Sequence, residues 1–276
     1  MTRELRRLLI TPDRLSSEPS AGPAAPMLPG AEDRLVATTQ EAVLLRDAER
    51  HYLRRVLRLR DGERVAVVNG CGSLWTARLL AGERLLLEQP LAAPLQREPA
   101  PLPALGLALA LPRRDLELVW RMATELGTDR LQPLLAERCA PSGEPPLERW
   151  RSVVAEACEQ SERLWLPALE APLPAAAFLA GSPCGVGLLA TTRREGLPLL
   201  AARLAALGPG TGPVLVAVGP EGGWSPAEEE AAERAGWQAV SLGSTILRSG
   251  TAAVAVAAQL AAWRSLRPVR WDQALR

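Results

Sequence analysis

The chain reads as a two-domain α/β protein, a small all-β barrel followed by a parallel sheet covered by helices on both faces. Three observations predict this class. Residues 1–90 hold several short β-rich runs separated by turn residues. Prolines then crowd one short segment at Pro90, Pro94, Pro99, Pro101 and Pro103, which favours neither helix nor inner strand. From Ala104 onward apolar strand-like runs alternate with helix-period segments, the pattern of a parallel sheet. The expected organisation is a barrel over 1–90, a linker over 91–103 and an α/β domain over 104–276.

Composition narrows the chemistry. The 276 residues carry 32 basic side chains against 31 acids, and every basic one is arginine, because the sequence contains no lysine. A Walker phosphate loop, a Schiff-base or pyridoxal enzyme and a protein kinase each need a lysine and are therefore excluded. His51 is the single histidine, which argues against multi-histidine metal sites and a serine-histidine-aspartate triad. Cys71, Cys139, Cys158 and Cys184 lie far apart without C-x-x-C spacing; they read as buried, reduced thiols, and no metal is expected. The first ten residues are too charged for a secretory signal, and no apolar run approaches the roughly 20 residues of a membrane span. A soluble, cytoplasmic protein is the expectation.

The elements follow in order. Arg3 to Ile10 reads as a strand, and Ser16 to Gly30, rich in Pro, Ala, Gly and Ser, as an irregular loop. Residues 50–60 hold five arginines and His51 without an acid. At helical spacing Tyr52, Leu53, Val56 and Leu57 face inward while Arg50, Arg54, Arg55 and Arg58 face outward. That face is either merely solvated or, with its field uncancelled, a phosphate-contacting patch. Arg64 to Val68 and Leu74 to Leu80 form a hairpin around Asn69 to Ser73, and Arg84 to Glu88 adds a strand. In the second domain, strands are expected at Ala104 to Leu111, Arg130 to Leu135, Val186 to Ala190 and Val214 to Val218. Helices are expected at Asp115 to Leu126, Pro146 to Arg163 and near Leu197 to Leu207.

The stretch 214–263 concentrates the ligand-binding signals. Val214 to Val218 ends in Gly219-Pro220-Glu221-Gly222-Gly223, where glycines allow positive φ and close backbone approach. Ser225-Pro226-Ala227-Glu228 has the form of a capping box, and Gly236 ends that helix. Trp237 to Leu242 returns as a strand into a second glycine loop, Gly243 to Gly250, which carries the cation Arg248. Thr251 to Trp263 is an Ala/Val-rich helix without a polar face. Two strand ends thus bring two glycine loops to one sheet edge, where open α/β sheets bind ligands. The spacing is not the G-x-G-x-x-G of dinucleotide enzymes.

Five strings, HYLRRVLRLRDGE, RMATELGTDRLQPLLAERC, RWRSVVAEACEQSER, GPEGGWSPAE and SLGSTILRSGTA, in this order and spacing, resemble the small-subunit ribosomal RNA uridine-N3 methyltransferases of the RsmE type, in the SPOUT superfamily. The resemblance runs over nearly the whole chain. It implies a PUA-like β-barrel, a trefoil-knotted α/β domain, a homodimer, S-adenosylmethionine (SAM) as methyl donor and 16S rRNA as substrate. By the same resemblance, the cofactor would lie among three loops: Leu189, Ala190 and Thr191; Gly219, Pro220, Glu221, Gly222 and Gly223; and Leu242, Gly243, Ile246 and Leu247 with Thr251. Arg248 would stabilise the oxyanion that develops on the target base, Glu221 would act as base or loop holder, and Arg54, Arg55 and Arg58 would grip RNA.

The chain departs from the family at Thr245, where relatives carry arginine, and at Gly250, where they carry glutamate. Glu162, Leu164 and Trp165 stand for glycine, asparagine and arginine at positions expected to face RNA. These departures leave two alternatives to a 16S rRNA uridine-N3 methyltransferase: an RNA-binding assembly protein with weak or no methyl transfer, and a SPOUT methyltransferase acting at a different RNA site.

Overall fold

The computed structural model describes residues 5–15, 42–81, 83–139, 143–192 and 194–267. The loop expected at Ser16 to Gly30 lies outside them. Two compact units are present: residues 1–100 with 162–165, and residues 101–161 with 166–276.

In the first unit β1 (Arg7–Leu9), α1 (Pro12–Leu15), β2 (Ala42–Leu44) and α2 (Asp47–His51) precede β3 (Arg64–Val68), β4 (Ser73–Leu80), β5 (Arg84–Leu87) and β6 (Gln96–Arg97). The sheet runs β1-β3-β4-β5-β2, with β6 paired to β4; β1 lies parallel to β3 and the other pairs are antiparallel. The segment expected as a pure linker therefore contributes a strand, on the edge, where its prolines remove no ladder donor. Alternation decides the packing. Val65 and Val67 join Trp75, Leu79 and Leu85 on one face, while Ala66 and Val68 face the other way.

That second face is covered by Leu164 and Trp165, which corrects the expectation that these positions face RNA. Leu164 is 3% exposed; its carbonyl accepts from Gly72 N at 2.8 Å, and Trp165 Nε1 donates to Glu98 O at 3.1 Å. An apolar pair can take this place because the sheet is buried on both sides. Gly72, at φ 89°, is required here: a Cβ would stand 2.3 Å from Glu98 O and 2.7 Å from the Trp165 ring.

The second unit contains β7 (Leu105–Ala110), α3 (Leu116–Glu125), β8 (Arg130–Leu135), α4 (Leu147–Gln160), β9 (Ala168–Leu169), β10 (Leu173–Pro174), α5 (Ala175–Leu179), β11 (Val186–Ala190), α6 (Leu200–Ala205), β12 (Val214–Val218), α7 (Pro226–Arg234), β13 (Gln238–Val240) and α8 (Ser249–Ser265). Every pair is parallel, in the order β10-β8-β7-β12-β11-β13 with β9 on β8. Two-sided burial explains the nearly unbroken apolar runs of β7 and β12. One face carries Leu107, Leu109, Val216, Val218, Trp120 and the α8 residues Ala253, Val256 and Leu260. The opposite face packs Ala108, Ala217, Leu189, Trp224 and Trp237. α8 also has a half-buried clip at its far end, where Arg264 pairs with Asp129 and donates to Gly127 O at 2.7 Å.

Candidate cofactor site and basic helix

Because β12, β11 and β13 are parallel neighbours, their carboxyl ends deliver the three loops singled out above to one sheet edge. The Gly219–Gly223 loop is the hub, bonded to four other segments. Trp224 Nε1 donates to Ala190 O at 3.1 Å, tying it to the β11 end. Ser249 Oγ donates to Gly219 O at 2.9 Å, tying it to the start of α8. Arg113 N donates to Glu221 Oε1 at 3.1 Å, tying it to the β7 end. From the turn after β8, Arg138 Nη1 donates to Gly222 O at 3.2 Å and to Trp224 O at 3.0 Å.

The start of α7 is fixed as its capping box predicts. Glu228 N donates to Ser225 Oγ at 3.3 Å and Glu228 Oε2 accepts from Ser225 N at 2.8 Å. Glu228 is 2% exposed, and its second oxygen accepts from Glu137 N at 2.9 Å. A buried carboxylate is thereby satisfied by two backbone amides, one on each oxygen, the condition under which such burial is tolerated.

The candidate residues occupy distinct environments. The side chains of Leu189 and Ala190 are buried in the cores, leaving only their backbone for a ligand, and the Thr191 hydroxyl is bonded to Glu229. Pro220 is buried, Glu221 and Gly222 are exposed, and Leu242 and Leu247 are half-buried. Gly243, Ile246, Arg248 and Thr251 are exposed, Ile246 at 67%. Gly223 at φ 73° and Gly243 at φ 147° would each place a Cβ in open space, with no atom within 4 Å. Gly222 has an ordinary φ; its constraint is Arg138, whose Cβ lies 3.0 Å from where a Gly222 Cβ would stand. Gly219 is limited by the Trp224 ring, 3.2 Å away.

Arg248 precedes α8, and its side chain makes no hydrogen bond or ion pair among the described residues. The loop amides of Glu221, Gly222 and Trp224 likewise have no acceptor among them. Open space over two glycines, free amides, an unpaired cation and the exposed Ile246 fit a ligand with both polar groups and an aromatic ring. Gly250 packs on α3, where a Cβ would lie 3.3 Å from Val119 Cγ2. Arg138, Ser249 and Trp224 are site residues that sequence reasoning missed. The strings LLAERC and GPEGGWS mark their neighbourhood, but contacts to backbone carbonyls leave no pattern in side-chain spacing.

The basic stretch differs from its helical projection. α2 stops at His51 and Tyr52–Val56 form a π-turn closed by Leu57 N to Tyr52 O at 2.9 Å. The wider turn leaves Val56 59% exposed, although helical spacing places it inward, and Arg58 takes φ 57°. Arg54, expected outward, folds back: it pairs with Asp61 and donates to Leu59 O and Leu80 O, each at 3.2 Å. Arg50 pairs with Asp47 and Glu83. Arg55 and Arg58 are exposed, without a partner among the described residues.

The cysteines also differ from expectation. Only Cys158 is buried; Cys71 and Cys184 sit exposed in turns, and Cys139 is half-buried beside the glycine loop, its thiol pKa raised by burial. Among the described residues no group of acids, His and Cys could hold a metal, and no helix is long and apolar enough to cross a membrane.

Residues 98–261 match the family model described as an RNA methyltransferase domain, and residues 45–87 the one described as an RNA methyltransferase PUA domain. A Synechocystis protein named Ribosomal RNA small subunit methyltransferase E is 41% identical over 238 residues, covering 83% of this chain and 75% of the relative. A Mycobacterium bovis protein of the same name is 31% identical over 259 residues, covering 87% and 92%. Among solved structures, the Neisseria gonorrhoeae Ribosomal RNA small subunit methyltransferase E bound to S-adenosyl methionine superposes with a TM-score of 0.70 at 28% identity, covering 93% of this chain and 97% of that one.

Proposed function

From the premise that this chain belongs to the ribosomal RNA small subunit methyltransferase E family, we propose that it transfers the methyl group of SAM to N3 of a uridine in 16S rRNA. The observation that carries the reading is the hub loop: free amides and open glycines beside an unpaired arginine, at the carboxyl edge of the sheet.

SAM, when bound, supplies an electrophilic methyl group. Residues of the three loops would hold it, through the amides of Glu221, Gly222 and Trp224 and the apolar surface of Leu242, Ile246 and Leu247. The protein's further task is electrostatic. Uridine N3 becomes nucleophilic only as its proton leaves, and negative charge then spreads onto the flanking carbonyl oxygens. Arg248, uncommitted to any protein carboxylate, stabilises that charge, and a preorganised donor of this kind typically contributes about 10²–10³ in rate. Glu221 Oε1 is engaged by the Arg113 amide, so Glu221 holds the loop, and the N3 proton passes to solvent.

The target base must leave its stack to reach the loops, which favours a single-stranded or looped RNA site. Arg55 and Arg58 contact its phosphates. A homodimer through α8 completes the proposal: beyond the core-facing residues, α8 presents Thr251, Ala258 and Ala262, small enough for close approach of a second copy. A monomeric mass by light scattering at micromolar concentration would remove the dimer. Mapping of 16S rRNA by mass spectrometry, in cells with and without the gene, tests the activity. Loss of one N3-methyluridine supports it; an unchanged modification pattern leaves the assembly-protein alternative.

A further inference from the structure

We propose that Arg138 is a positioning residue that sets the glycine loop in its ligand-ready form; the inference rests on the reading of that loop as the SAM site. The argument lies in the order of the peptide groups. A trans peptide points its C=O and N–H in opposite directions, so a plane gripped at both ends cannot rotate. The peptide between Gly222 and Gly223 is gripped in this way: its carbonyl accepts from Arg138 at 3.2 Å and its N–H donates to Pro220 O at 2.8 Å. The peptide between Trp224 and Ser225 is gripped likewise, its carbonyl by Arg138 at 3.0 Å and its N–H by Glu228 Oε2 at 2.8 Å. The peptides that alternate with them carry the Gly222 and Trp224 N–H groups, which have no acceptor among the described residues. Fixed and free peptides thus alternate, and Arg138 Nη1 holds both fixed ones with its two hydrogens.

Two adjacent glycines give this segment more backbone freedom than any other pair could, and ordering it on binding would cost affinity. Arg138 removes that freedom beforehand. It lies across Gly222, and its backbone is anchored to the first turn of α7, since the neighbouring Glu137 amide bonds the buried Glu228 carboxylate. Its own side chain is exposed, so the core does not depend on it.

Arg138→Met keeps the stem over Gly222 and removes the donors; Arg138→Lys restores charge and one donor group. Hydrogen exchange on the full chain without ligand, SAM affinity by calorimetry and thermal melting separate the outcomes. In Arg138→Met, amides of residues 219–225 should exchange faster while those in the body of α7 keep their protection. SAM should bind about tenfold more weakly, the scale of one or two lost hydrogen bonds. The melting temperature should hold, and Arg138→Lys should recover part of the affinity. Unchanged loop exchange overturns the proposal, and so does a lowered melting temperature with the loop and α7 loosened together. Should the wild-type protein fail to bind SAM, the cofactor reading falls, and the exchange experiment on the ligand-free protein still decides whether Arg138 sets the loop.

Discussion

Around the barrel helix, Arg50 faces Asp47 and Glu83 and Arg54 faces Asp61, whereas at the sheet edge Arg138 faces backbone carbonyls and Arg248 faces no protein group among the described residues. In sequence the ranking is the reverse: residues 50–60 look like an uncancelled positive field, and Arg248 and Arg138 look isolated. The difference arises because an ion pair is set by the fold and not by local composition. Glu83 and Asp61 return to the helix through the strands and turns that follow it. No acid pairs with Arg248 among the described residues, and the carboxylate of the glycine loop, Glu221, is engaged by the Arg113 amide. A cation left unpaired on a preorganised loop can meet charge that appears only during a reaction; a paired one serves the fold.

The largest effect that follows from this contrast is on catalysis. Arg248→Ala should lower the single-turnover rate of methyl transfer by about 10²–10³ while SAM affinity measured by calorimetry stays within about twofold, because the lost stabilisation exists only in the transition state. Comparable losses of rate and affinity would place Arg248 in ground-state cofactor binding and weaken the contrast with Arg138, whose removal is expected to act on affinity.

The two regions also differ in how much could be read beforehand. Continuous apolar runs made β7, β11 and β12 legible, and the capping residues made α7 legible, because burial on two faces and orphan helix amides leave local marks. β9 and β10 have only two residues each and show no periodicity; α5 follows directly with five residues, too short for a 3.6-residue pattern. Glu162–Trp165 joins the first unit, a long-range event that no window around Leu164 reveals. For the site, the meeting of the loops at one edge was legible from the alternation of strands and helices. The strand order that seats the β8 turn beside the glycine loop was not, and with it went Arg138.

A smaller effect sharpens the contrast inside the basic stretch. Arg54→Ala should destabilise the folded protein by about 1–3 kcal/mol, since its half-buried guanidinium satisfies two carbonyls and a carboxylate. Arg55→Ala and Arg58→Ala should leave the midpoint of denaturant unfolding in place. Instead, the pair should weaken RNA binding and reduce the dependence of log affinity on log salt by about 1.4, the value for two phosphate contacts on a single strand. An Arg54 variant of wild-type stability with a reduced salt slope would show that its carboxylate partner yields to RNA, and the division between paired and free cations would then fail at this position.

The smallest effect concerns an ion-pair network of the first unit that has no counterpart among the glycine-loop contacts. Glu88 accepts from Thr76 Oγ1 at 2.6 Å and from Arg64 Nε at 2.9 Å, and Arg78 Nε lies 2.9 Å away. Burial pushes its pKa up, but the bonds from Thr76 and Arg64 and the charges of Arg64 and Arg78 outweigh this and hold the carboxyl below its ordinary value. A carboxyl with a depressed folded pKa contributes stability that is complete above its unfolded value and is lost as pH falls through the folded value. Glu88→Gln keeps one carbonyl acceptor for Thr76 and loses the charge, so it should cost about 1 kcal/mol at neutral pH, a figure set by partly exposed charged hydrogen bonds. That deficit should vanish as both proteins are taken into the acid range where wild-type Glu88 is itself protonated. Denaturant unfolding at neutral and acid pH measures it, and a deficit that stays constant across the range would mean that the amide disturbs packing around Thr76 and that the charge of Glu88 contributes nothing.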